Sequence, residues 1–370
     1  MSSRSSRRDL MKVAGATALA PSVRLAAANA KRWPILEGPN TPKICLATGD
    51  GGGGGQDVSW RRIKQLGLGY IIGGDTGGFP WQEANIRASI DRAKQAGLTL
   101  YNITISGYPN TQLGRPGRDE EIDKVRQSIR AAGRAGLPVI EYTFQPRRAM
   151  EGYHESSGRA GAGHTSFDYD RMKDLQPLPE EGAHSLEEMW SHLTYFVKAI
   201  VPVAQESGVR LALHPNDPPA PQIRGTALPL GTLAGWKRLI EIVPSPSNGL
   251  TLDCGMAREL GEDPVEVCRY FGARDRINHM HFRSVSMQKP REKYSEVFLD
   301  EGDVDMSGVM KELVRQKYPR TIYPEHPHGF DYDRERPGFR SYYPGGGGYA
   351  GIAFNVAYTR AMLQAALESV

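Results

Sequence analysis

Short runs rich in Val, Ile, Leu and Tyr alternate along this chain with runs whose apolar residues recur every three or four positions, and the alternation occurs eight times. The strand-like runs are Lys43–Thr48, Tyr70–Gly74, Thr99–Ser106, Pro138–Phe144, Val209–His214, Gly249–Cys254, Ile277–Arg283 and Thr321–His326. Helical spacing covers Trp60–Leu66, Glu83–Ala96, Asp119–Ala135, Leu186–Ser207, Leu233–Ile242, Pro264–Phe271, Ser307–Lys317 and Gly351–Glu368. Strict alternation calls for a parallel sheet with right-handed crossovers, and eight such units close into a barrel. The expected class is therefore α/β, a (β/α)8 TIM barrel; the count of eight disfavours an open doubly wound sheet. Glycines in Ala96-Gly97-Leu98, Ala135-Gly136-Leu137 and Ser207-Gly208-Val209 stand where helices should stop. Glycine adopts the left-handed C′ conformation there at no Cβ cost.

Residues 1–30 read as a separate object. Arg7-Arg8 precede a mildly apolar stretch, Val13 to Val23, and an A-x-A-type site, Ala28-Asn29-Ala30. Paired arginines before a weak apolar segment predict a twin-arginine export signal, with that export machinery as a partner and a periplasmic or secreted location. The catalytic barrel is then expected over residues 31–370. No apolar run reaches about 18 residues, so no membrane span is expected. A net charge of +4, with Lys and Arg scattered among acids, gives no nucleic-acid surface. Three cysteines, Cys45, Cys254 and Cys268, leave at least one thiol unpaired, and a metal would protect a ligand thiolate. A small-molecule substrate, with the chain alone or as a homo-oligomer, is the expected setting.

Three segments exceed what a minimal barrel needs: the glycine run Gly51–Gly55, the insert from Arg147 to about Ala183, and the Gly/Tyr-rich stretch Gly338 to Gly348. Each follows a strand C-terminus, so each is expected on the catalytic face. The glycine run lacks the Lys-Ser/Thr of a phosphate loop and reads as a flexible rim.

Catalytic groups of a barrel come from the C-terminal ends of its strands. The last four strand-like runs close on Leu213-His214-Pro215, Leu252-Asp253-Cys254-Gly255, His279-Met280-His281-Phe282-Arg283 and Pro324-Glu325-His326. Two imidazoles, a thiolate and a carboxylate at one depth make a transition-metal set: His214, Cys254, His281 and Glu325. His279 shares a face with His281 and should sit one layer deeper. Alone, each of these has a plainer reading, as a satisfied polar group or, for Cys254, a small buried hydrophobe.

The stretch Leu211-Ala212-Leu213-His214-Pro215-Asn216-Asp217-Pro218-Pro219 resembles the histidine-proline-acid-acid-proline-proline signature of bacterial D-mannonate dehydratases. Gly249 to Gly255, Ile277 through Val285, Gly302-Asp303-Val304-Asp305-Met306 and Tyr349-Ala350-Gly351 are similar too; before Leu137 only the strand–helix rhythm agrees. The resemblance implies a xylose-isomerase-like barrel with a divalent metal, manganese first and Fe, Co or Zn as alternatives. It implies loss of water from D-mannonate to give 2-keto-3-deoxy-D-gluconate. The family's ligands, two His, a Cys and an Asp, carry over to His214, His281, Cys254 and Glu325. Glu325-His326-Pro327-His328-Gly329 departs from the family's acid-His-Gly by Glu for Asp and two inserted residues. Asn216 replaces the first acid after His-Pro, and no Trp follows Tyr142 to Pro146.

For proton transfer His326 and Tyr349 are the candidates, with Asp217 in reserve. Arg283 is expected to fork onto the substrate carboxylate, or else to form a structural ion pair. Asp305 should cap the helix that follows it. The alternatives are a sugar isomerase, epimerase or keto-glycoside lyase on the same barrel, and a non-catalytic sugar-binding protein.

Overall fold

The computed structural model describes residues 37–146 and 150–370. The expected signal segment, residues 1–30, lies outside them. Eight parallel strands close a barrel: β1 Lys43–Ala47, β2 Tyr70–Ile72, β3 Thr99–Ile105, β4 Val139–Thr143, β5 Arg210–His214, β6 Asn248–Asp253, β7 Ile277–His281 and β8 Thr321–Tyr323. Each strand pairs with its sequence neighbours, and β8 returns to β1 through Lys43↔Thr321 and Ile44↔Ile322. The surrounding helices are α1 Gln56–Gln65, α2 Glu83–Gln95, α3 Arg118–Ala135, α4 Leu186–Glu206, α5 Leu233–Ile242, α6 Pro264–Gly272, α7 Met306–Arg315 and α8 Tyr349–Ser369.

Local chemistry sets most of these boundaries. Gly97, Gly136 and Gly208 follow α2, α3 and α4 with φ of 71°, 86° and 67°, the left-handed stops their positions call for. Ser185 and Glu188 form a reciprocal capping box on α4. The Asp305 side chain accepts from the Gly308 amide at the start of α7, as expected. Ile63, Ile129, Phe196, Leu239, Phe271 and Leu313 bring the helix faces onto the barrel, and each is fully buried. Such burial stabilises by about 1.5–3 kcal/mol per side chain.

The barrel interior carries a polar layer below its mouth. Glu141 of β4 accepts from Thr251 Oγ1 at 2.8 Å, and His279 Nδ1 meets Thr321 Oγ1 at 2.8 Å. Pairing keeps these buried groups from a desolvation cost. His279 thus sits a layer below His281, where its place on β7 predicts it.

The insert after β4 holds structure that apolar periodicity does not reveal. Tyr153–Ser157 and Gly163–Asp168 form an antiparallel hairpin, which a second hairpin after β7, Ser284–Lys289 and Lys293–Val297, extends to four strands. Both hairpins rise from strand C-termini, so this small sheet covers the catalytic face. Alternation along Lys293–Val297 turns Tyr294 and Glu296 inward, 1% and 2% exposed. The missed signal is Pro290 between two short alternating runs, a hairpin mark partly hidden by flanking charge.

Candidate active site

Three strands end sooner than their apolar runs. β6 stops at Asp253, β7 at His281 and β8 at Tyr323. Cys254 is therefore the first residue of a short helix, Cys254–Glu259, which Asp253 caps through the Met256 amide at 2.8 Å. One step along a strand reverses the side chain's direction. Asp253, in register with His281, points into the barrel mouth. The Cys254 thiol points away and donates to the carbonyls of His281 and Arg283 at 3.5 and 3.3 Å. Burial, then the Asp253 charge, pushes that thiol up to about 12, so it stays protonated.

The group that the structure gathers differs from the expected set: Asp253 stands where Cys254 was expected. One donor atom from each of His214, Asp253, His281 and Glu325 lies within 4.8 Å of the others. His214 Nδ1 faces the Pro215 carbonyl at 2.9 Å. A carbonyl only accepts, so Nδ1 carries the proton and Nε2 keeps its lone pair. That Nε2 looks at His281 Nδ1 across 3.2 Å, and His281 Nδ1 lies 2.8 Å from Glu325 Oε1. On the far side, His281 Nε2 faces Glu141 Oε1 at 3.4 Å, close enough for the carboxylate's charge to act on the ring. Burial favours the neutral His281 ring, but Glu325 and Glu141 outweigh it and hold its pKa at about 9. Burial opposes ionisation of Glu325 too, yet His281 and His326 hold its carboxyl well below the usual range.

The surrounding charge also suits a cation. Five carboxylates approach the one guanidinium of Arg283: Glu259 at 2.6 Å, Asp253 at 2.7 Å, Glu296 and Glu325 at 3.7 Å, and Asp217 at 3.9 Å. All five are buried. Burial raises the Glu259 carboxyl well above the usual carboxylate range, and the remaining buried carboxylates are stabilised when a cation joins them. Two nitrogens and two carboxylates gathered at one point fit a divalent cation.

Arg283 departs from its expected role. Its Nε and Nη1 are taken by Asp253 and Glu259, and its side chain is 3% exposed. It braces Asp253 from behind, the structural ion pair that was the other expectation, with Asp253 and Glu259 holding its Nε and Nη1.

The cleft above the four donors has a volume of about 240 Å³, and His326, Asp217, Gln145 and Tyr343 are among its lining residues. His326 Nδ1 sits 2.7 Å from Glu296 Oε2, and Nε2 sits 3.5 Å from Glu325. Its φ of 49° is uncommon for a non-glycine residue, and its ring lines the cleft. Asp217 accepts from the Tyr153 hydroxyl at 2.6 Å. Tyr349 is set apart from this cleft. It lies at the first turn of α8, in the wall of an outer cavity, with its hydroxyl donating to the Arg62 carbonyl at 3.4 Å. Tyr343, in the Gly/Tyr-rich loop, lines the cleft and packs on His326 with ring centroids 4.4 Å apart. Sequence reasoning therefore missed Asp253, Glu141, Glu296 and Tyr343. The strand register could have revealed Asp253, since Asp253 and not Cys254 shares a face with Thr251.

Asn216 has a structural role: its amide donates to the Phe144 carbonyl at 3.2 Å and its oxygen accepts from the Leu230 amide at 2.8 Å. An ionised acid, which has no donor, could not make both bonds.

The model of the family described as D-mannonate dehydratase (UxuA) matches residues 166–365, more than half of the chain. The chain belongs to the D-mannonate dehydratase family. A mannonate dehydratase of Streptococcus pneumoniae (strain 70585) is 31% identical over 275 residues, covering 67% of this chain and 75% of the relative. The crystal structure of mannonate dehydratase from Streptococcus suis serotype2 superposes with a TM-score of 0.78 at 26% identity, covering 89% of this chain and 95% of that one. A xylose isomerase domain protein from Alicyclobacillus acidocaldarius shares the barrel alone, at 14% identity and a TM-score of 0.56 over 88% of this chain and 100% of the other. The fold is thus a xylose-isomerase-like TIM barrel, and the chain is a hydro-lyase of the mannonate dehydratase family. The family match begins at residue 166, ahead of the motifs, which start at Leu211.

Proposed function

We propose that this protein removes water from D-mannonate to give 2-keto-3-deoxy-D-gluconate, with a divalent metal held by His214, Asp253, His281 and Glu325. The observation that carries the reading is the convergence of these four donors within 4.8 Å, three of which, His214, His281 and Glu325, line a cleft shared with His326 and Tyr343. With two imidazoles, two carboxylates and no thiolate, the set suits manganese, with iron and cobalt as rivals.

Dehydration breaks the C2–H bond and the C3–O bond, and the resulting enol rearranges to a 2-keto-3-deoxy acid. Bound at this site, the metal supplies a Lewis acid that stabilises negative charge on the substrate oxygens. The proton movements belong to the chain. Glu296 holds the His326 ring with one nitrogen directed to the cleft, placed to accept or return a proton. The Tyr343 hydroxyl can protonate the departing hydroxide, so that it leaves as water. Asp217, already accepting from Tyr153, is placed to orient substrate hydroxyls.

The test is incubation of the purified protein with hexonates in turn, in Mn, Co and Fe. D-mannonate should give a product that is positive in the periodate–thiobarbiturate reaction and lighter than the substrate by one water. An unchanged acid with all three metals would remove the dehydratase reading.

We further propose that residues 1–30 direct export through the twin-arginine route, on the strength of Arg7-Arg8 and the apolar stretch behind them. Replacing both arginines by lysine should hold the protein in the cytoplasm. Undiminished periplasmic recovery on cell fractionation would end this assignment.

A further inference from the structure

The four donors take one arc of the barrel mouth, from the ends of β5, β6 and β7 to the residues just past β8. His326 follows Glu325 at one end of this arc. Beyond its other end the barrel continues through β4 to β3, and there Thr143 and Thr104 line the cleft. Thr143 is in register with His214, and Thr104 with Glu141. Alternation puts Thr143 on the same face of β4 as Glu141, and Thr104 on the same face of β3 as Asn102, each one layer nearer the mouth. Glu141 and Asn102 are buried and bonded to one another. Thr143 and Thr104 are exposed, so the lower layer is filled and the upper one opens on the cleft. The end of β4 is pinned: the Tyr108 hydroxyl and the Gln112 amide donate to the Thr143 carbonyl at 2.8 and 3.3 Å. The Thr143 hydroxyl has no hydrogen-bond partner among the described residues. The Thr104 hydroxyl donates to Glu141 Oε2 at 3.3 Å and keeps its lone pairs.

We infer that Thr143 and Thr104 bind the hydroxyls on the C4–C6 tail of the sugar acid, and so select a polyol chain at the end remote from the metal. The inference rests on the dehydratase reading, which puts C2 and C3 between the four donors and His326. The tail then leaves on the other side, over the ends of β4 and β3. A threonine hydroxyl carries no charge and both donates and accepts, so this wall matches a run of neutral hydroxyls. C4 to C6 do not change in the reaction. Bonds to them hold substrate and transition state alike, and they tighten binding without speeding the chemical step.

The experiment measures two acids by titration calorimetry on the metal-loaded His326→Ala protein, in which D-mannonate persists, with keto-acid release read on the parent. D-mannonate carries the full tail, and L-glycerate keeps only the three carbons at the reacting end. Added to this background, Thr143→Val removes one hydroxyl at constant shape, and Thr104→Val/Thr143→Val removes both. D-mannonate should bind about fivefold more weakly to the first and about tenfold or more to the second, the size of one and two hydrogen bonds. L-glycerate should shift by less than about twofold in either, at unchanged metal content. Thr104→Ser/Thr143→Ser restores both hydroxyls and should bind D-mannonate within about threefold of the background protein. Equal weakening of both acids would overturn the inference, because it marks a general disturbance of the site. So would unchanged D-mannonate affinity in the valine pair, or a serine pair as weak as the valine pair. Binding is scored apart from turnover, so absence of keto acid with the parent counts against the dehydratase reading alone.

Discussion

Asp253→Asn is expected to strip the divalent metal from this protein, whereas Cys254→Ala should leave it bound. Asparagine keeps the shape of the side chain and an oxygen to cap the Met256 amide, so the helix Cys254–Glu259 retains its start. What it removes is the charge, and with it the anionic donor toward His214 and the ion pair to Arg283 at 2.7 Å. Supporting groups around metal ligands already matter by 10- to 100-fold in affinity, so loss of a ligand should cost on the order of 100-fold or more. Cys254 lies one residue on, with its thiol turned to two carbonyls behind the site. Removing it deletes a small buried group at a stability cost of about 1 kcal/mol, without touching the ion. Elemental analysis after dialysis, with thermal unfolding as the check on folding, separates the cases. Full occupancy in Asp253→Asn, or metal loss in a folded Cys254→Ala, would show that the thiol and not the carboxylate is the ligand.

His326→Ala is expected to lower kcat by about 100- to 10,000-fold, the usual contribution of a positioned general acid or base, with the metal still in place. The ring is not among the four donors and meets one of them, Glu325, at 3.5 Å. Its position comes from Glu296 at 2.7 Å and from the Tyr343 ring. Glu296→Gln keeps a hydrogen-bonding group there and removes the charge, so it should lower kcat less than loss of the imidazole does. Steady-state rates on D-mannonate at saturating metal, together with metal content, read both effects. A His326→Ala enzyme within threefold of the parent kcat would pass the proton-transfer role to Tyr343 or Asp217.

These expectations use side chains of unequal visibility in the sequence. His214, His281 and Glu325 are legible because apolar runs that end in polar residues mark strand C-termini, and a barrel gathers those ends at one mouth. Asp253 and Cys254 are adjacent, and the end of the apolar run cannot be set to within one residue. That one residue decides which side chain faces inward. Tyr343, in its loop, and Tyr349, at the start of α8, present the same difficulty, since no periodicity there says which ring turns toward the cleft. Glu141 lies mid-strand, and its contact with His281 exists only because the closed barrel places them across its interior.

The order of apolar runs, the helix-stopping glycines and the polar strand ends determined the eightfold barrel and three of the four donors, since these depend on local periodicity and backbone preference. Tertiary structure alone decided the rest. The hairpins of residues 153–168 and 284–297 meet far from one another in sequence, and their pairing delivers Glu296 and Tyr153 to the site. The fold gathers five acids around Arg283, so that its guanidinium braces Asp253 rather than standing open in the cleft. The physical reason is that desolvation and charge act through space: how strongly a buried group is driven to find a partner depends on what the whole fold brings within a few ångströms of it.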